Sequence, residues 1–190
     1  MVTTPTAELG LLEDADYVSA VSGGMLDLEQ DGHAAALRRV AGWVRTYCRW
    51  HVFPEITETV TLDGTGGSTL HLPSLRVVDV HGVNETASTG WSPAEVTWSA
   101  AGMLRKRSGC FTDEFRGVEV SLTHGHTEPH DLLGVIIGAA VRHSTAPDGN
   151  TLSKVGDISY QSSGAGAAGG SAFLQSEYAV LDHYRLNSEV

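Results

Sequence analysis

Residues 132–141 read Leu-Leu-Gly-Val-Ile-Ile-Gly-Ala-Ala-Val, and this stretch limits the possible folds more than any other. Pro129 suits the first turn of a helix, since the amide it lacks would be unpaired there anyway, and Thr127 is placed to cap it. Such a helix runs to about His143 and is roughly 25 Å long. Its apolar residues cover most of the circumference, so it must be buried on nearly every side, in part by neighbouring copies of the chain. The rest of the sequence has to supply that cover.

At 190 residues the chain suits one domain, or a core with one sizeable insertion, with burial of about 70% of its unfolded surface. Its 41% apolar and 18% charged content is too apolar for general disorder. Its 23 acids against 12 bases give a net charge of −11, which repels a phosphate backbone at long range and disfavours stable DNA binding. Cys48 and Cys110, the two cysteines, lie in no CxxC pair and match reduced, cytosolic chemistry. Residues 1–12 lack the pattern of an export signal, and no run of about 18 apolar residues occurs, so neither export nor membrane insertion is expected.

Ahead of the buried segment, Thr6 and Asp14 are placed to cap short helices over 7–13 and 15–21, the second stopped by Gly23-Gly24. Leu37, Val40, Ala41, Val44 and Cys48 then recur at helical spacing, predicting a helix from about His33 to His51 with Asp31 as a possible cap. After Pro54 the rhythm becomes the alternation Ile56-Thr57-Glu58-Thr59-Val60-Thr61-Leu62, broken at Asp63-Gly64-Thr65-Gly66-Gly67. That predicts a hairpin with residues 68–72. Strands over 75–83, 95–99, 103–107 and 118–123 extend it into an antiparallel meander. Beyond Pro147 the chain turns polar and enters a Gly-Ala arm at 162–170, after which Ser171 is placed to cap a last helix whose apolar stripe of Leu174, Tyr178 and Leu181 either docks on another molecule or folds back on the chain's own core. The fold class is α+β: a helical core of N-terminal helices, a long central helix and a C-terminal helix, with an inserted antiparallel β-meander domain. The expected divisions are 1–53, 54–125, 126–146 and 147–190.

Few motifs carry chemistry. Gly164-Ala165-Gly166-Ala167-Ala168-Gly169 has dinucleotide-binding spacing, but residues 158–163 are too polar for a buried parallel strand, and no later strand carries a ribose-binding acid. No cofactor is expected. His124, His126 and His130, beside Glu128 and Asp131, resemble a metal-binding run, so the alternative function is a small metal-dependent hydrolase. The same residues also fit a surface turn entering a helix. Arg105-Lys106-Arg107, with Phe111 and Phe115 after it, reads as a phosphate-touching loop or as an edge strand whose charges discourage pairing. No Gly-x-Ser-x-Gly elbow or activated cysteine indicates a nucleophile.

The run Val44-Arg45-Thr46-Tyr47-Cys48-Arg49-Trp50-His51, then Pro54, Val60-Thr61-Leu62-Asp63-Gly64 and Leu72-Pro73-Ser74, resembles head-to-tail adaptors of long-tailed phages that infect actinobacteria. The resemblance continues in order through 117–125, the helix after Pro129, Val155-Gly156-Asp157 and Leu181-Asp182-His183-Tyr184-Arg185. It covers roughly residues 33–185 and rests on hydrophobic and turn positions, so no active site comes with it. It implies a non-catalytic virion protein of the neck, made in the host cytoplasm and forming a homo-oligomeric ring, a dodecamer, beneath the portal. Its implied partners are the portal, a downstream neck or tail-completion protein, and double-stranded DNA passing without specific binding. Leu174, Tyr178, Leu181 and Tyr184 are then expected to anchor on the portal, and Trp43, Trp50, Leu133, Ile136 and Ile137 to pack between subunits.

Overall fold

The structure, a computed structural model, describes residues 9–87, 90–145, 151–155, 158–162 and 173–186. These form two compact units, one of 9–48 with 128–185, the other of Arg49–Thr127 with Leu186.

The first unit is helical. A short 3-10 turn, Gly10–Glu13, leads into α1 (Ala15–Ser22), whose Tyr17 amide donates to the Asp14 carboxylate at 3.0 Å. The helix stops at Gly23, where φ is +65°, a conformation that costs glycine little. In α2 (Asp31–Cys48), Ala36, Leu37, Val40, Ala41, Val44 and Cys48 are buried, the one-sided spacing of an amphipathic helix. It ends three residues short of His51 because Arg49 turns to φ +67°. The third helix, α3 (His130–Thr145), packs against α1, α2 and α4 (Gln175–His183). Leu132, Leu133, Ile136, Ile137, Ala139 and Ala140 are buried on it, which makes it the centre of this unit.

Three local expectations change here. The central helix begins at His130 with the Pro129 carbonyl accepting from Leu133 at 2.9 Å, and the Thr127 hydroxyl donates to Glu55 instead of capping it. The last helix starts at Gln175 rather than just after Ser171, which, like the Gly-Ala stretch at 163–170, lies outside the described residues. Residues read only as polar form a two-stranded antiparallel hairpin, β8 (Thr151–Val155) and β9 (Ile158–Ser162).

The second unit is built from antiparallel strands β1 (Ile56–Leu62), β2 (Thr69–His71), β3 (Val77–Ala87), β4 (Gly90–Pro93), β5 (Val96–Ser99), β6 (Met103–Lys106) and β7 (Val118–His124). One sheet has the order β1-β7-β3-β4 and the other β2-β6-β5. The expected neighbour pairing holds for β5 with β6, whereas β3 pairs with β4, in a stretch where no strand was expected, and the hairpin expected across 56–72 does not form. Instead β1 pairs with β7, from Ile56 opposite His124 to Leu62 opposite Val118, and β2 pairs with β6. The strand containing Arg105 and Lys106 is therefore the middle of its sheet, which corrects its reading as an edge. Leu70, Leu72, Val77, Val83, Leu104, Phe111, Val118, Val120 and Leu122 form one buried cluster drawn from both sheets. Along β7 the burial alternates strictly, as a strand with one face on a core requires.

Candidate functional site

The sequence places the expected partner surface on the C-terminal helix, α4. Its apolar stripe is turned onto its own unit: Leu181 is 0% exposed, and its carbonyl lies 3.9 Å from Cys48 Sγ. The Tyr178 ring lies 5.2 Å from that of Tyr47 and 5.8 Å from that of Phe173. Polar contacts fix the helix at both ends. Glu177 accepts from the Leu174 amide at 2.8 Å and from Arg142 Nη2 at 2.8 and 2.6 Å, a charge-assisted pairing of the stronger kind. At the other end the Tyr184 hydroxyl donates to Asp131 at 2.7 Å, and that of Tyr47 to Asp182 at 2.5 Å. Burial, then the hydrogen bond to Asp131, raises the Tyr184 phenol above its ordinary range. The bond to Asp182, then burial, raises Tyr47. Burial pushes the Cys48 thiol up to about 11, so it is held as an inert thiol. Of the four residues expected to anchor on a portal, Leu181 has no surface left to offer, while Leu174, Tyr178 and Tyr184 are half-buried.

The residues expected between subunits are similarly occupied. Leu133, Ile136 and Ile137 are fully buried within the helical unit, and Trp50 is buried in the sheet unit. Trp43 is half-buried, edge-on to His143 at 4.9 Å with the Arg39 guanidinium 5.6 Å from its ring centroid.

His124 and His126 flank Trp50, with centroid distances of 6.4 and 6.1 Å. His124 is 1% exposed. Its Nε2 lies 2.9 Å from the Glu58 carboxylate, an acceptor, so Nε2 is the donor of this bond. Among the described residues its buried Nδ1 has no hydrogen-bond partner. His51 donates from Nε2 to the Pro54 carbonyl at 2.5 Å. His130 belongs to the helical unit, where Nδ1 meets the Tyr17 hydroxyl at 3.1 Å and Nε2 lies 3.7 Å from Glu128. Among the described residues no group of three or more His, Cys, Asp or Glu is placed to hold a metal ion. The histidine run thus contributes to local packing and hydrogen bonding rather than to a shared ligand set.

Lys106 is likewise engaged. It pairs with Glu85, donates to the Cys110 carbonyl at 2.9 Å and stands 5.7 Å from the Phe111 ring centroid. Trp98, Met103 and Phe115 leave substantial apolar surface in solvent. No described helix is long and apolar enough to cross a membrane.

No family model matches the sequence, and no curated protein matches it. Solved structures do resemble the fold. A chain from the neck of the empty GTA particle, computed with C6 symmetry, superposes with a TM-score of 0.58 at 12% identity, covering 100% of this chain and 98% of that one. A chain from the neck of the native GTA particle, computed with C12 symmetry, gives a TM-score of 0.58 at 13% identity with the same coverage. A chain from the virion of the native gene transfer agent gives 0.55 at 14% identity over 91% of this chain and 90% of that one. At these identities the likeness defines a fold, that of neck proteins in a phage-like particle.

Proposed function

We propose that this protein is a structural, non-catalytic component of the neck of a tailed phage or phage-like particle, a head-to-tail adaptor that assembles as a ring of identical copies beneath the portal. The observation that carries this reading is the end-to-end superposition: both units, and not one shared motif, are matched over nearly the whole of two neck chains. The net charge of −11 suits the wall of a channel through which DNA must slide without being gripped. Dodecameric symmetry, extension of the DNA channel, binding to a downstream tail-completion protein and kinship with the adaptors of actinobacterial phages belong to the same proposal.

Contact with the portal is assigned to the C-terminal helix, presented through the exposed edges of Leu174, Tyr178 and Tyr184, while Leu181 holds the helix in place. Mixing the purified chain with the portal protein of the same particle and imaging by electron microscopy tests the reading. The expected result is an added ring, in register with the portal's symmetry, and a chain that remains separate from portal at high micromolar concentration would refute it.

A further inference from the structure

Strand β1 stands at the end of its sheet, with β7 as its one hydrogen-bonded neighbour among the described strands. The bonds of β7 define which backbone groups β1 leaves over. At either end of β7, odd-numbered residues bond to the β3 side: the Thr86 amide donates to the Gly117 carbonyl at 2.8 Å, and the Gly125 amide to that of Arg76 at 3.0 Å. Backbone groups of successive residues in a strand point to opposite sides, so Val118, Val120 and Leu122 turn theirs to β1, where they meet Leu62, Val60 and Glu58. The N–H and C=O of Thr57, Thr59 and Thr61 therefore point away from the sheet. The hydroxyls of Thr57 and Thr123 lie 2.7 Å apart, as suits the closer, non-bonded pair that this assignment makes of them.

This edge lacks the devices that usually keep a sheet from pairing further: a short strand, proline, lysine or a bulge. β1 is 7 residues long and keeps one register with β7 throughout. Thr57, Thr59 and Thr61 are exposed. The other sheet ends are guarded. β4 has 4 residues and closes on Pro93, which has no N–H to give, and β2 and β5 have 3 and 4. A partner for β1 must carry donors and acceptors at the same spacing, and β1 itself supplies them. Laid antiparallel on a second copy with Thr59 opposite Thr59, Thr57 falls opposite Thr61, and each of these pairs exchanges both bonds. The threonines then meet across the join on the solvent face, a favourable cross-strand pairing. On the other face Ile56 meets Leu62, and Glu58 meets Val60. Glu58, the strand's one charge, is drawn inward to His124 at 2.9 Å, and no like charges stand directly opposite each other.

We infer that free copies of this chain pair through β1, their sheets joining edge to edge about a two-fold axis into one continuous antiparallel sheet. The occupant is a second copy because the edge is its own complement in hydrogen bonds and side chains, as an isologous contact requires. An added strand supplies main-chain bonds where the edge has none. The inference goes beyond the ring reading, since a two-fold contact joins copies in pairs and closes no ring by itself. One strand pair is small beside a standard interface, so dissociation constants of about 1–100 µM are expected.

Sedimentation of the full chain from low to high micromolar concentration should show monomer and dimer in exchange. Thr59→Pro removes an N–H that points to the partner and none that faces β7, so it should weaken the dimer about tenfold or more while the melting temperature stays close to that of wild type. Thr59→Lys, which sets like charges opposite each other at the two-fold axis, should weaken it as much without altering the backbone. Cross-linking uses a Cys110→Ser background, because Cys110 is exposed. There Thr59→Cys should form a disulfide-linked dimer under mild oxidation, since a bonded antiparallel pair holds its Cα atoms about 5.5 Å apart, and Thr97→Cys on β5 should not. A wild-type chain that stays monomeric throughout, or a dimer that both Thr59 variants leave unchanged and that position 59 does not cross-link, overturns the pairing. Monomeric wild-type chain whose binding to portal is lost in Thr59→Lys overturns it too, by giving the edge to a strand of the portal. A Thr59→Lys chain that still adds a ring to portal keeps the ring reading, whichever way the pairing falls.

Discussion

Cys48, Tyr47 and Tyr184 are three acids placed where α4 meets the rest of the helical unit, and all three are harder to ionise than usual. The Cys48 thiol moves from 9.0 to about 11. A folded value above the unfolded one means that, between the two, the native state holds a proton the unfolded chain has released, so stability falls as pH rises. This contribution is complete below pH 9, declines from about pH 9 to 11, and is reinforced above pH 10 by the two tyrosines. Urea midpoints measured between pH 8 and 10.5 should therefore drop, and Cys48→Ala should flatten the lower part of that decline while lowering stability at every pH. Alkylation at pH 8 should label the exposed Cys110 and spare Cys48 until the chain is unfolded.

At the scale of elements, the junction after β7 shows how closely the backbone is packed. Gly125 sits at φ +104°, its amide donating to the Arg76 carbonyl at 3.0 Å, and a Cβ there would meet the Pro54 carbonyl at 2.7 Å. Gly125→Ala is expected to destabilise the sheet unit by about 1–3 kcal/mol or more, read as a lowered thermal midpoint. The helices were legible because their information is local: the spacing from Leu37 to Cys48 and the all-apolar run from Leu132 to Val141 each mark a helix without reference to anything distant. The existence of β1, β2, β3, β5, β6 and β7 was legible for the same reason, while that of β4 and the partnership of most strands were not. The turn signal Asp63 to Gly67 marks where β1 ends, yet β1 finds its partner in β7, about 60 residues on, because that pairing buries Val118, Val120 and Leu122 against the second sheet. Polar β8 and β9 carry no alternation that a reading of single residues would catch. Partner surfaces were the least legible, since an apolar stripe such as Leu174, Tyr178 and Leu181 looks the same whether it covers its own core or another molecule. An exposed aromatic such as Phe115 is recognised only once its burial is known.

For the whole molecule, the division into two units makes a testable statement about folding. Arg49–Thr127 holds its own buried cluster, and its two ends are joined by the His126 amide donating to the Val52 carbonyl at 2.8 Å. The segment 49–127 produced alone is expected to unfold cooperatively in urea and to show dispersed amide resonances. A disordered fragment would mean that its core depends on the helices.

The bond between Val52 and His126 brings together the points where the chain enters and leaves the sheet unit. Modules attached in this way can be lengthened, trimmed or exchanged at their far loops with little disturbance to the host they are spliced into. Changes at those far loops should thus leave the architecture of the helical unit as it is.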